Sequence, residues 1–222
     1  MICQDKQIMK ILRTILGSLC TLLVPLAVGM SFICKDANAA LCPAWWQSVS
    51  DTWCTSSGIV MIGVLFSSAV VMFSYKGYDV RDRVLTLIQG AMMLAIIIFP
   101  CRPAEGYTNG GIFGVPYPLC SLLHCLSAGL LCAAQATHIL WLFRLDGGDK
   151  NALTMSKRKR NKIYTITGIG CVVGFALLVF GFACPFDLKK YGLVDIAEFI
   201  WLGSYGIAWL TKSEALWLKD KK

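Results

Sequence analysis

Residues 157–183 read KRKRNKIYTITGIGCVVGFALLVFGFA. A dense basic run passes without a turn signal into 21 residues that carry no charge, from Ile163 to Ala183. A bilayer core about 30 Å thick is crossed by about 20 mainly apolar residues in a helix. Lys and Arg collect on the cytoplasmic flank of such helices. The stretch therefore reads as a transmembrane helix with its N-terminal end inside. Read alone, KRKRNK resembles a nucleic-acid patch. Set against a span it is a topology signal, and Lys157, Arg158, Lys159 and Arg160 become candidates for contact with anionic lipid head groups. No nucleic-acid partner is expected.

The rest of the chain follows the same pattern. Of its 222 residues, 56% are hydrophobic and 15% charged, where a soluble domain has about 25% charged. Six stretches are long and apolar enough to cross: roughly 11–34, 55–75, 84–100, 118–143, 163–183 and 195–211. The third and the sixth are the shortest, and the sixth is the most polar. The joints between them hold turn residues and charge, and there is no internal repeat. With the N-terminus inside, 17 of the 21 basic residues fall on the cytoplasmic side, and only Lys35, Arg102, Lys189 and Lys190 fall outside. The fold class expected is an all-α polytopic membrane bundle: one domain over 1–222, about six spans, both termini cytoplasmic. A rival reading takes residues 1–39 as a cleaved signal peptide, with "ANA" before Ala40. Its apolar stretch is long for one, since such a core has about 7–15 residues.

Eleven cysteines are present. Cys42, Cys54, Cys101 and Cys120 bracket the two longer outer loops and are the candidates for disulfides if the outer side is oxidising. The alternative is buried thiols acting as small apolar residues. With two histidines and no CxxC, no metal site of ordinary spacing is expected. No phosphate loop, GxSxG or HExxH occurs, and no cofactor is expected. Gly170 and Gly174 form a GxxxG in the fifth helix, a close-packing motif that serves within one chain or between copies. Lipids, a second copy or another membrane protein are the expected partners.

Both histidines lie in the fourth helix. The 14 residues from His124 to His138 return to nearly the same helix face, about 21 Å further along the axis. Ser127 and Gln135 share that face. His138, near the cytoplasmic end beside Trp141 and Arg144, reads as an interfacial residue. His124 lies at the depth of Glu198, one turn into the sixth helix, whose face also holds Tyr205 and Lys212. Asp51 lies at the outer end of the second helix. An ionisable residue inside a span is a functional candidate. An outward-facing polar pocket of Asp51, His124, Ser127 and Glu198 is therefore expected, against the plainer reading that His124 and Glu198 lock two helices together.

At SVSDTW, FSYKGYDVRDR, KRKRNKIYTITG and EFIWLGSYGIAWLTKSEA, the chain resembles a group of bacterial six-helix membrane proteins with a domain of unknown function. The group is distantly similar to the DRAM and FGF-receptor-activating-protein families. The likeness runs from about residue 48 to 216. It implies a bacterial inner-membrane protein, with His124 and Glu198 matching a His and a Glu of the group. The chain departs from the group in its cysteine-rich CKDANAALCPAWW. Three functions stay open: binding or moving a lipid or small amphiphile; a membrane-embedded hydrolase in which Glu198 or Asp51 orients His124 as general base; and a structural or partner-binding subunit.

Overall fold

A computed structural model of the protein describes residues 2–33, 48–101, 108–145, 154–184, 186 and 191–215, with side chains from residue 6 onward. Among these residues six helices form: α1 (Ile2–Ile33), α2 (Gly58–Ser74), α3 (Val80–Ile98), α4 (Tyr117–Leu140), α5 (Met155–Ala183) and α6 (Leu193–Lys212). Two 3-10 turns, Val49–Cys54 and Leu142–Arg144, precede α2 and follow α4. A two-residue hairpin pairs β1 (Asn109–Gly110) antiparallel with β2 (Val115–Pro116) ahead of α4.

Local sequence sets several of the helix starts. The Asp79 side chain accepts from the Asp82 N–H at 2.8 Å, and Asp82 Oδ2 accepts from the Tyr78 N–H at 2.8 Å. Together they satisfy donors that the first turn of α3 would otherwise orphan. Thr154 caps α5 through the Lys157 N–H at 3.1 Å. Pro118 sits in the first turn of α4, where its missing N–H costs nothing.

Four of the helices are long and apolar enough to cross a membrane: Lys6–Ile33, Tyr117–Arg144, Met155–Ala183 and Leu193–Lys212. These cover four of the six expected stretches. The second, α2, is apolar but has 17 residues. The third, α3, has 19, and its first turn holds Arg81, Asp82 and Arg83.

Each helix packs on the next in sequence, and α6 returns to α1, so the bundle closes on itself. Two glycine crossings make α6 the most enclosed member. A Cβ on Gly17 of α1 would lie 2.8 Å from the Leu210 backbone N and 2.9 Å from the Gly206 carbonyl. On the other side, a Cβ on Gly174 of α5 would lie 2.8 Å from the Ala197 carbonyl and from Trp201 Cα. The GxxxG is thus used within the chain, because only a hydrogen fits between these backbones.

The bundle exposes apolar side chains and encloses its polar ones within a mainly apolar core. Phe66, Leu126, Leu130, Val172 and Phe180 are exposed, whereas Gln89, Gln135, His138 and Glu198 are buried. That distribution suits a lipid solvent, where an exposed polar group is the costly one.

Among the described cysteines, no pair is bridged. Cys120 keeps its thiol, which donates to the Pro100 carbonyl at 3.4 Å, and Cys101 is buried at the start of the same loop. Cys42 lies outside the described residues, as do Lys35 and the "ANA" before Ala40.

Candidate functional site

The turn just before α2 supplies the first polar layer. The 3-10 turn Val49–Cys54 lies across the ends of α3, α4 and α6. Trp53 pins it to α3, its Nε1 donating to the Ile97 carbonyl at 3.0 Å. Glu198 of α6 pins it from the other side. Its Oε1 accepts from the Ser48 hydroxyl at 2.9 Å, and its Oε2 from the Val49 N–H at 2.6 Å. A buried carboxylate is costly unless it is hydrogen-bonded. Glu198 meets that cost by capping the turn, so it is a positioning residue.

The turn in turn places Ser50 against α4. His124 Nδ1 donates to the Phe99 carbonyl at 2.7 Å, because a carbonyl can only accept. In the neutral ring, Nε2 is then the acceptor, and the Ser50 hydroxyl donates to it at 3.2 Å. His124 and Glu198 therefore lie at one depth, as the helix periodicity expects, but they do not bond to each other. The path between them runs through Ser50, whose N–H donates to Ser48 Oγ at 3.1 Å, and through the Ser48 hydroxyl. The group that orients His124 through Nδ1 is a backbone carbonyl, not Glu198 or Asp51.

Ser48, Ser50, His124 and Glu198 line one end of a cavity of about 380 Å³. Its remaining wall is apolar, with Leu131 of α4, Phe175 and Leu178 of α5 and Trp201 of α6. The α5 wall runs out to Val179 and Phe182, which are exposed on the bundle surface. Two expected pocket members do not line it. Asp51 is buried in the 3-10 turn. Ser127 turns back along α4 and donates to the Leu123 carbonyl at 2.7 Å.

A second polar layer lies deeper, toward the other end of α4. His138 is not an interfacial residue: it is fully buried. Its Nε2 meets Asp82 Oδ1 of α3 at 2.5 Å, and its Nδ1 meets Gln89 Nε2 at 3.1 Å. Gln89 Nε2 also donates to the Ala134 carbonyl at 3.3 Å, which fixes that atom as the amide nitrogen. It follows that Gln89 donates to Nδ1, and that the His138 proton sits on Nε2, facing the carboxylate. The Tyr205 hydroxyl completes the layer by donating to Gln89 Oε1. Trp209, with rings 5.3 Å from His138 and 4.9 Å from Phe143, covers it from α6. Asp82 thus pairs across the bundle, whereas Asp79 pairs locally with Arg81 at 3.0 Å.

Sequence reasoning missed Ser48 and Ser50, which sit on a short turn without periodicity. It also missed the Asp82–His138 pair. A usable signal existed in the spacing: Asp82, Thr86 and Gln89 fall on one face of α3, and Gln135 and His138 on one face of α4. No family profile, curated protein or solved structure matches the chain.

Proposed function

We propose that the chain is a six-span membrane protein of a bacterial inner membrane, with both termini cytoplasmic, that binds or helps move a lipid or small amphiphile. Positive-inside placement puts the basic ends of the helices in the cytoplasm, which directs the His124 cavity outward. The observation that carries the reading is the cavity's polarity: one hydrogen-bonding end, and an apolar slot running to the lipid-facing side of α5. Binding sites for small molecules have this form, mostly apolar with a few convergent polar groups. A head group would bond to His124, which Ser50 orients on the turn that Glu198 holds, while an acyl or other apolar part lies along Leu131, Phe175 and Leu178.

The test is mass spectrometry of small molecules co-purifying with the detergent-extracted protein. A defined lipid or amphiphile is expected with the native chain. It should be lost in the His124→Ala, Glu198→Gln double variant and in Ala128→Phe, which fills the slot and leaves both polar residues in place. The same nonspecific lipids in all three samples would overturn the reading.

A second reading has its own observation, the Ser50–His124 contact. In it, His124 Nε2 takes the Ser50 hydroxyl proton as Ser50 Oγ bonds to an ester carbonyl carbon. The proton then passes to the departing alcohol, and water releases the acid from Ser50. No carboxylate completes that pair through His124 Nδ1, so binding is the first reading and acyl transfer the second.

A further inference from the structure

The opposite end of the bundle holds a larger hollow, about 780 Å³, lined from four separate helices and the α2–α3 joint. Lys6, Lys10 and Arg13 come from α1, Lys76 from the joint, Lys157 and Arg160 from α5, and Lys212 from the end of α6. Positive-inside sorting explains why basic residues are at this end. It does not explain their convergence: Arg158 and Lys159 of the same basic run are exposed and do not line the hollow.

Among the described residues that line it, seven cationic side chains face three carboxylates, Asp79, Asp82 and Glu214. The carboxylates are already engaged. Asp82 is bonded to His138 and the Tyr78 N–H. Asp79 is bonded to the Asp82 N–H and to Arg81, which together hold its pKa below the usual range. Glu214 lies 3.9 Å from Lys10 and 3.7 Å from Arg160. Lys212 is half-buried, and no carboxylate among the described residues lies within ion-pair distance of it. Its Nζ stands 4.8 Å from the Tyr78 ring centre and 4.9 Å from that of Phe143. Arg13 stacks over Tyr75 and Tyr78 and donates to the Tyr75 hydroxyl at 3.1 Å. Two aromatic-held cations aimed into one hollow, with its carboxylates spent, leave charge for an added anion to neutralise.

We propose that this vestibule is a binding site for a phosphate monoester, borne by a lipid head group or by a small soluble molecule. A monoester carries up to two charges and three acceptor oxygens, enough to meet Lys212 and Arg13 together. A single carboxylate or phosphodiester, with one charge, would match only one of the two. Basic hollows on the cytoplasmic side of helix bundles are the setting in which head groups of this kind bind.

The test uses the full chain in phosphatidylcholine nanodiscs, titrated with phosphatidic acid and, separately, with phosphatidylserine. Both lipids charge the surface, but only the first bears a monoester. A preference for phosphatidic acid of about tenfold or more, worth about 1.4 kcal/mol, is expected. It should vanish in Lys212→Met, and also in Lys212→Gln and Arg13→Gln should the first fold poorly. It should persist in Arg158→Gln, Lys159→Gln. Glycerol 3-phosphate, a soluble monoester, forms the soluble arm. Saturable binding of it that competes with the lipid assigns the site to a free phosphate monoester; binding of the lipid alone assigns it to a head group. Equal affinity for the two lipids with no soluble binding would overturn the proposal. So would an equal loss of preference in the Arg158, Lys159 variant.

Discussion

His124 and His138 lie on one helix about four turns apart, yet the bundle treats them in opposite ways. His138 is closed in on every side. Both ring nitrogens, both ends of the Gln89 amide and one Asp82 oxygen are used within the layer, and aromatic rings cover it. His124 also has both nitrogens bonded, but one partner is a hydroxyl on a short turn, and the ring borders an open cavity. The lower histidine is paired with a carboxylate directly; the upper one reaches its carboxylate only through two serines. A hydrogen bond to a serine hydroxyl can be exchanged for one to a ligand at little cost. A direct contact between buried imidazole and carboxylate cannot, because separating them strands a charge. The lower layer is therefore the structural one, and the upper layer is the one able to handle a ligand.

The contrast breaks most readily at His138. His138→Ala leaves Asp82 buried without its partner, and such truncations cost about 3–5 kcal/mol. Thermal unfolding in detergent should show the largest loss of any single polar substitution in the bundle. Removing the charge as well, in Asp82→Asn with His138→Ala, should recover part of it. A loss below about 1 kcal/mol for His138→Ala would mean that the layer is not a closed structural unit.

Much of this was legible in the chain before any coordinates, and the limits have physical causes. The helices follow from apolar length, since a run such as 163–183 has no other stable solution in lipid. The common depth of His124 and Glu198 follows from helix rise and from the alternation of direction. So does the face of α6 that brings Glu198 to the cavity, Tyr205 to Gln89 and Lys212 to the vestibule. Polar partners of different helices did not follow. Asp82 stands among charges that look like an ordinary surface turn, and its partner is 56 residues away. Ser48 and Ser50 sit where neither a 3.6-residue nor a two-residue repeat applies, so nothing in their spacing marks them as facing inward. Asp51, one residue beyond, was the more conspicuous choice by charge, but the turn carries it away from the cavity wall.

His124→Ala sharpens the comparison from the other side. Interhelical hydrogen bonds in membranes contribute about 0.6 kcal/mol each on average, so losing the bonds to Phe99 and Ser50 should cost about 1 kcal/mol. The co-purifying lipid should nevertheless disappear. A large functional loss with a small stability loss is the inverse of what His138→Ala should show. If the two variants lower the melting temperature equally, the upper layer is a helix lock like the lower one, and the cavity holds no specific ligand.

The smallest effect separates the two functional readings. Ser50→Ala removes one hydroxyl and keeps the Ser50 N–H bond to Ser48, so its stability cost should stay below about 1 kcal/mol. In a binding protein, the remaining donors hold the head group, and the lipid should be retained at close to the native level. In an acyl-transfer enzyme, the same hydroxyl is the nucleophile. A fluorophosphonate should then label the native chain at Ser50 and fail on both Ser50→Ala and His124→Ala. Absence of labelling in the native chain, with lipid retained by Ser50→Ala, leaves His124 as a ligand contact whose serine partner serves to orient it. Labelling at Ser50 that depends on His124 would instead make the turn held by Glu198 the catalytic element of the protein.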